Sequence, residues 1–200
     1  MNIKLAKLLI NPFEEISSTK LLIIGLLAYL ASSVFVFYSK CHFEGLIGIK
    51  SGRNTNLALS FYNNGIAIVL LTLGCYIFSY LKKSNFRLID IFNVVLISRI
   101  IIYALLLILI EPFIVKNTLL KVEMAILDDD FMLATLTNFD RTVLTIFGFL
   151  CISFIVYFFY FFITGLRFVI NSKTKMDSIW ILLIVFGLEI VFTLFHFNII

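Results

Sequence analysis

Residues 88–110 read LIDIFNVVLISRIIIYALLLILI, and this stretch decides the class of protein that the chain forms. As a helix rising about 1.5 Å per residue, it would cross the hydrocarbon core of a bilayer, which is about 30 Å thick. Arg99 lies at its middle, eleven residues from either end. A charge at mid-depth costs about 2.5–3.5 kcal/mol on insertion scales, so we expect Arg99 to have a partner or to face a watery cavity.

Four further apolar runs accompany this one, over about residues 21–38, 57–81, 142–168 and 178–200. Hydrophobic residues make up 62% of the 200-residue chain, whereas a soluble domain averages about 45–50%. Because backbone polar groups in lipid must satisfy one another, we expect helices rather than strands. The sequence therefore predicts an all-α fold, a polytopic integral membrane bundle of five transmembrane helices over residues 21–200.

Residues 1–20 are predicted to form an amphipathic lead-in. Met1–Ile10 places apolar residues around Lys4 and Lys7, which suits a short helix in the headgroup layer. The following NPFEE (residues 11–15) is typical of a helix start, with Asn as the N-cap, Pro in the first position and two acids in the first turn. The first spanning helix is therefore expected to begin near Pro12.

Two connections are long enough to have structure of their own. Gly45, Gly48 and Gly52 indicate an irregular segment over residues 39–56. Apolar residues in segment 111–141 recur at helical spacing, which predicts a helix on the membrane surface there.

The distribution of Lys and Arg orients the predicted bundle. With a cytoplasmic N-terminus, the inside segments 1–20, 82–87 and 167–177 hold nine of these residues, and the outside segments hold six. The excess favours a cytoplasmic N-terminus and a C-terminus on the outside.

Composition and motifs argue against nucleic-acid binding, metal binding and catalysis. The net charge is +4, but the basic residues lie at span ends rather than on one face. Cys41, Cys75 and Cys151 fit no metal-ligand spacing, and Asp128-Asp129-Asp130 lacks the Gly and terminal Glu of a calcium loop. Walker A, HExxH, GxSxG and GxGxxG motifs are absent. We expect no cofactor, no metal, no nucleic-acid partner and no enzymatic activity; the lipid bilayer is the expected partner.

Glu189 is the predicted partner of Arg99. It lies eleven residues from either end of run 178–200, and the third and fifth spans run in the same direction, so the two charges share a depth. A buried ion pair would fix the packing of these two helices. Two other interpretations stay open: the residues belong to a proton or ion path, or each meets water or another polar group without touching the other.

Five other polar residues are secondary candidates. Asp90 and Asn93 lie one helical turn apart near the inner end of their span, where they mark a wet helix end or contact a substrate. His196 follows Glu189 by seven residues and is either interfacial or a proton relay. Asn63-Asn64 are expected to cap a helix or to form hydrogen bonds between helices.

The chain resembles the Yip domain family of small five-span membrane proteins. The likeness is carried by LLINPFEEI (residues 8–16) before the first span and by the tight turn KKSNFR (residues 82–87) that feeds the third. The layout resembles that of bacterial members, which implies the bacterial inner membrane. The resemblance implies association with membrane partners, without the Rab GTPase binding linked to eukaryotic members.

Two functions are consistent with the sequence. The first is a non-enzymatic membrane protein that associates with a membrane-protein partner or with copies of itself, or that acts in membrane organisation. The alternative is a small transporter or channel component that uses the Arg99/Glu189 pair.

Overall fold

A computed structural model describes residues 10–39, 41–51, 56–107, 113–127 and 136–194. The predictions for His196, for Asp128-Asp129-Asp130 and for the amphipathic helix before Ile10 therefore lie outside the described residues. The same holds for the last residues of the third and fifth predicted spans.

Apolar α-helices dominate the described chain. They are α1 (Pro12–Glu15), α2 (Ser18–Tyr38), α3 (Leu57–Leu81), α4 (Leu88–Leu105), α5 (Phe113–Leu127), α6 (Asn138–Val169) and α7 (Met176–Leu194). Five of them, α2, α3, α4, α6 and α7, are long and apolar enough to cross a membrane. The predicted all-α class and the five spans are confirmed, and the chain is an integral membrane protein by the length and composition of these helices.

Helix boundaries follow the predicted spans closely, except at the N-terminal end. Asn11 caps α1 as expected, because its side chain accepts a hydrogen bond from the Phe13 N–H at 3.3 Å. The expectation that the first spanning helix starts near Pro12 is wrong, since the backbone is extended at Ile16 and α2 begins separately at Ser18. The Phe13 ring packs against Phe161 with 5.6 Å between centroids, so α1 is held against α6 instead of continuing into α2.

The connection between α2 and α3 is a β-hairpin, where the sequence predicts irregular structure. Strands β1 (Cys41–Glu44) and β2 (Gly48–Ser51) pair antiparallel, with Glu44 opposite Gly48. The loop between them consists of Gly45, Leu46 and Ile47, and Gly45 adopts φ +71°. Gly45 thus belongs to an ordered turn, and Gly48 begins β2. Each strand has only four residues, which is too short for its alternation to be distinguished from a loop.

The chain divides into two compact units, Met1–Ile100 with Phe158–Ile200, and Ile101–Tyr157. In the first unit α2 packs on α3, α3 packs on α7, and β1 contacts both α2 and α3. Lys82 at the end of α3 forms an ion pair of 2.5 Å with Asp177 in the first turn of α7. We call this the loop end of the unit, since the α3–α4 and α6–α7 connections lie there, and the opposite end, which carries β1 and β2, the hairpin end.

The second unit contains α5 and the first part of α6. Asp140 in the first turn of α6 pairs with Lys121 of α5 at 2.8 Å and also accepts a hydrogen bond of 2.7 Å from the Thr137 hydroxyl. Segment 111–141 therefore contains the helix that its apolar spacing predicts.

Candidate functional site

The tip of the hairpin brings Arg99 and Glu189 to the same residue. One guanidinium nitrogen of Arg99, Nη1, donates a hydrogen bond of 2.6 Å to the Leu46 carbonyl. The Leu46 N–H donates one of 2.6 Å to Glu189 Oε2. The main chain of Leu46 thus contacts both charges, with its acceptor toward the cation and its donor toward the anion.

Arg99 is fully enclosed. Its side chain is 0% exposed and is the largest of the fully buried side chains among the described residues. Nη2 donates a hydrogen bond of 3.1 Å to Asn64 Oδ1, and the guanidinium carbon lies 5.6 Å from the centroid of the Phe43 ring. The cation is therefore stabilised by main chain, an amide and an aromatic face, which together replace much of its lost hydration.

Asn64 extends the network from Arg99 to α2. Its Nδ2 donates to the hydroxyl oxygens of Ser32 at 3.1 Å and Ser33 at 2.9 Å. Both hydroxyls donate in turn to the Tyr29 carbonyl, at 3.0 and 2.8 Å. Asn64 makes the interhelical hydrogen bonds expected of it, and the network connects α2, α3, α4, the hairpin and α7.

Gly45 allows the carboxylate of Glu189 to approach the hairpin. At φ +71° this residue has the left-handed conformation that favours glycine. A Cβ built on Gly45 would collide with Glu189 Oε1 and lie 2.8 Å from the carboxylate carbon. Any side chain at position 45 would therefore displace the carboxylate that holds the Leu46 N–H.

This arrangement compensates two unfavourable features, the burial of non-helical backbone and the burial of charge. Non-helical backbone at membrane depth is tolerated where protein buries it and satisfies its polar groups. A buried charge is likewise tolerated when hydrogen bonds replace its water. Leu46 provides both groups that the charges require, and Arg99 and Glu189 provide the partners that its main chain requires. These hydrogen bonds fasten the hairpin to α4 and α7.

The polar candidates at the loop end also have defined partners. Arg87 Nε donates a hydrogen bond of 2.9 Å to Asp90 Oδ2, and Ser18 Oγ donates one of 2.9 Å to Asp90 Oδ1. Asn93 Nδ2 donates to Ser18 Oγ at 2.8 Å and to the Ser18 carbonyl at 2.9 Å. Asp90 and Asn93 therefore lie together on one side of α4 and join its start to the start of α2.

Sequence reasoning singles out both charges but not the group between them. Leu46 joins the network through its main-chain N–H and carbonyl. A pattern of side chains in the sequence does not predict such a contact. The available signal is Gly45, near the centre of the connection between the first two apolar runs. Among the described residues, no group of three His, Cys, Asp or Glu side chains is arranged to hold a metal ion.

Comparisons with protein-family models, curated proteins and solved structures find no match to this chain.

Proposed function

We propose that this chain is a non-enzymatic integral membrane protein that acts by binding a transmembrane helix of a partner protein. The observation that carries this proposal is the first half of α6. From Arg141 to Tyr157, nearly five turns, none of the residues is buried, although most are apolar. Phe149 is 70% exposed and Val156 is 62% exposed. Membrane helices associate through packing, so the exposed face of this segment offers a surface for a partner helix.

The Arg99 network supports the same proposal, because its hydrogen bonds argue against an ion path. The two deep charges, which are the candidates for an ion path, both hold the main chain of Leu46. A mobile ion or proton would have to break these hydrogen bonds at each passage. Both residues therefore position the hairpin rather than carry an ion. The proposed function is then exerted at the protein surface.

Cellular placement is part of this proposal. The excess of Lys and Arg in segments 1–20, 82–87 and 167–177 favours a cytoplasmic N-terminus. The resemblance to bacterial Yip-type proteins favours the bacterial inner membrane and association as the mode of action. The loop end of the first unit would then face the cytoplasm.

Site-specific photocrosslinking in native membranes tests the proposal. A photoreactive amino acid replaces Phe149 in α6, and in a matched control it replaces Leu27 in α2, which is 61% exposed. We expect a discrete protein adduct from position 149 and only lipid adducts from position 27. An adduct of twice the chain mass identifies a second copy as the partner, and another discrete mass identifies a different protein. Lipid adducts alone at position 149 would contradict the proposal.

Transport is the alternative function, and Glu189 is the residue that tests it. Glu189→Gln removes the charge but keeps an oxygen that accepts from the Leu46 N–H. In proteoliposomes, a proton- or ion-dependent flux that this variant abolishes would establish transport and overturn the positioning role. We expect no flux from either the parent chain or the variant.

A further inference from the structure

Arg167, two residues before the end of α6, is a partly buried cation at the loop end of the first unit. Within the part of the chain that the structure describes, no hydrogen bond or ion pair involves its guanidinium group, and its Nε is buried. A cation partly removed from water is unfavourable unless an anion or hydrogen bonds replace its hydration. The side chain therefore requires a partner from outside the described chain.

Other basic residues at the loop end have carboxylate partners. Lys82 pairs with Asp177 at 2.5 Å, and Arg87 pairs with Asp90 at 2.9 Å. These two ion pairs already use both carboxylates, so Arg167 differs from Lys82 and Arg87 in lacking a counter-ion among the described residues.

The segment that follows Arg167 adds positive charge. Segment 167–177 also contains Lys173 and Lys175, both of which are exposed, and Asp177 is its one acidic residue. Because Asp177 pairs with Lys82, the three cations of the segment leave an excess of positive charge around the α6–α7 connection. An anion is attracted to this region more than a neutral group.

The depth of Arg167 follows from contacts between α6 and α7. Glu189 binds the same hairpin residue as Arg99, the middle residue of its apolar run, so it marks the middle of the bilayer. Phe186 lies three residues from Glu189 toward the loop end, and its ring stacks on Phe159 of α6 with 5.4 Å between centroids. Arg167 lies eight residues farther toward the loop end. It is thus about 16 Å from the middle, and half of the hydrocarbon core is about 15 Å thick.

Trp180, the one tryptophan of the chain, supports this depth. It lies nine residues from Glu189 along α7, about 13 Å toward the loop end, and is 51% exposed. Tryptophan is enriched where the hydrocarbon core meets the headgroups. Arg167 and Trp180 therefore lie at nearly the same level, at the boundary where lipid phosphates begin.

We propose that Arg167 binds the phosphate group of an anionic phospholipid. The planar guanidinium group donates paired hydrogen bonds to two phosphate oxygens, a geometry that arginine favours. Lys173 and Lys175 favour a headgroup with net negative charge, such as that of phosphatidylglycerol, over the zwitterionic phosphatidylcholine. Free inorganic phosphate has the same oxygen chemistry, but the level of Arg167 in the bilayer favours the lipid.

Lipid retention by the full-length protein tests the proposal. The protein is purified in detergent, incubated with equal amounts of phosphatidylglycerol and phosphatidylcholine, and examined by native mass spectrometry. We expect the parent chain to retain phosphatidylglycerol in preference to phosphatidylcholine. Arg167→Gln should lower this preference about fivefold, the factor typical of one basic residue at an anionic membrane surface.

Two further variants separate a site from diffuse surface charge. Lys83→Gln removes one exposed positive charge at the same end of the unit and should lower the preference less than about twofold, because water and salt screen that charge. Arg167→Lys keeps the charge but not the paired donors, so it should keep part of the preference. Melting curves confirm that each variant is folded.

Competition with inorganic phosphate, against chloride at the same ionic strength, separates the lipid from the free anion. We expect both salts to leave the preference equal, and a loss in phosphate alone would assign the site to free phosphate and overturn the lipid proposal. An unchanged preference in folded Arg167→Gln, or an equal decrease in Lys83→Gln, would also overturn it. Either result would leave the proposed helix-binding function of residues 141–157 unaffected.

Discussion

At the residue scale, the protein is organised by a few groups whose burial requires particular partners. Arg99 is a fully buried cation, Glu189 is an anion that reaches the same hairpin tip, and Gly45 leaves the space that the carboxylate occupies. The two charges and the space at Gly45 meet at the main chain of Leu46. Substitution at any one of them should therefore destabilise the fold.

Arg99→Leu is expected to lower the free energy of unfolding by about 1–3 kcal/mol for each buried acceptor that loses its donor. The substitution leaves the Leu46 carbonyl and Asn64 Oδ1 without their donor. Glu189→Gln is the milder comparison, since the amide oxygen still accepts from the Leu46 N–H. Thermal unfolding in detergent, followed by fluorescence-detected gel filtration, measures both. Folding of Arg99→Leu as stable as the parent chain would disprove the fastening role.

Gly45→Ala should destabilise the protein, whereas Gly187→Ala should not. An alanine at φ +71° adds strain of about 1–2 kcal/mol, and its Cβ displaces the Glu189 carboxylate from the Leu46 N–H. A Cβ at Gly187 meets no atom within 4 Å, and alanine favours its helix. The melting temperatures of the two variants, compared under identical conditions, check this contrast. Equal effects would show that the space at position 45 is unimportant.

At the element scale, the ends of the helices are closed by local main-chain hydrogen bonds. Lys83 follows α3 with φ 51°, and the Ser84 N–H donates to the Ser79 carbonyl at 3.4 Å. Asn171 follows α6 in the same way, with φ 51° and a hydrogen bond of 2.9 Å from the Ser172 N–H to the Arg167 carbonyl. Both helices thus end in the motif that usually has glycine at the left-handed position.

Lys83→Gly is expected to stabilise the end of α3 by about 1 kcal/mol, because glycine adopts positive φ without steric cost. Asn171→Gly is the matched comparison and should gain less, since asparagine tolerates this conformation better than lysine. Differential scanning calorimetry in detergent measures both changes. A larger gain at Asn171 than at Lys83 would contradict the explanation from side-chain sterics.

At the scale of the whole molecule, the arrangement of charge sets the orientation in the bilayer. The five apolar helices carry few charges, and most Lys and Arg residues lie in the connections. The connection at residues 82–87 holds three basic residues, and the loop end of the first unit also holds Arg167, Lys173 and Lys175. This concentration favours placement of that end on the cytoplasmic side.

Cysteine labelling with a membrane-impermeant maleimide checks this orientation. We expect Met124→Cys, at an exposed position of α5, to react in intact cells. Asn85→Cys, in the connection between α3 and α4, should react only after the cells are permeabilised. The parent chain, with Cys41, Cys75 and Cys151, provides the background signal. The reverse pattern of labelling would invert the predicted topology.

The sequence by itself determines the all-α class, the five long helices and most of their boundaries, because a long apolar run in lipid can satisfy its backbone only as a helix. It also marks Arg99 and Glu189, since a charge in the middle of such a run stands out. The hairpin between α2 and α3, and the meeting of both charges at Leu46, are decided only by the tertiary structure. The acceptor and donor at Leu46 are main-chain groups that every residue carries, and packing across more than 140 positions brings the Leu46 N–H to Glu189.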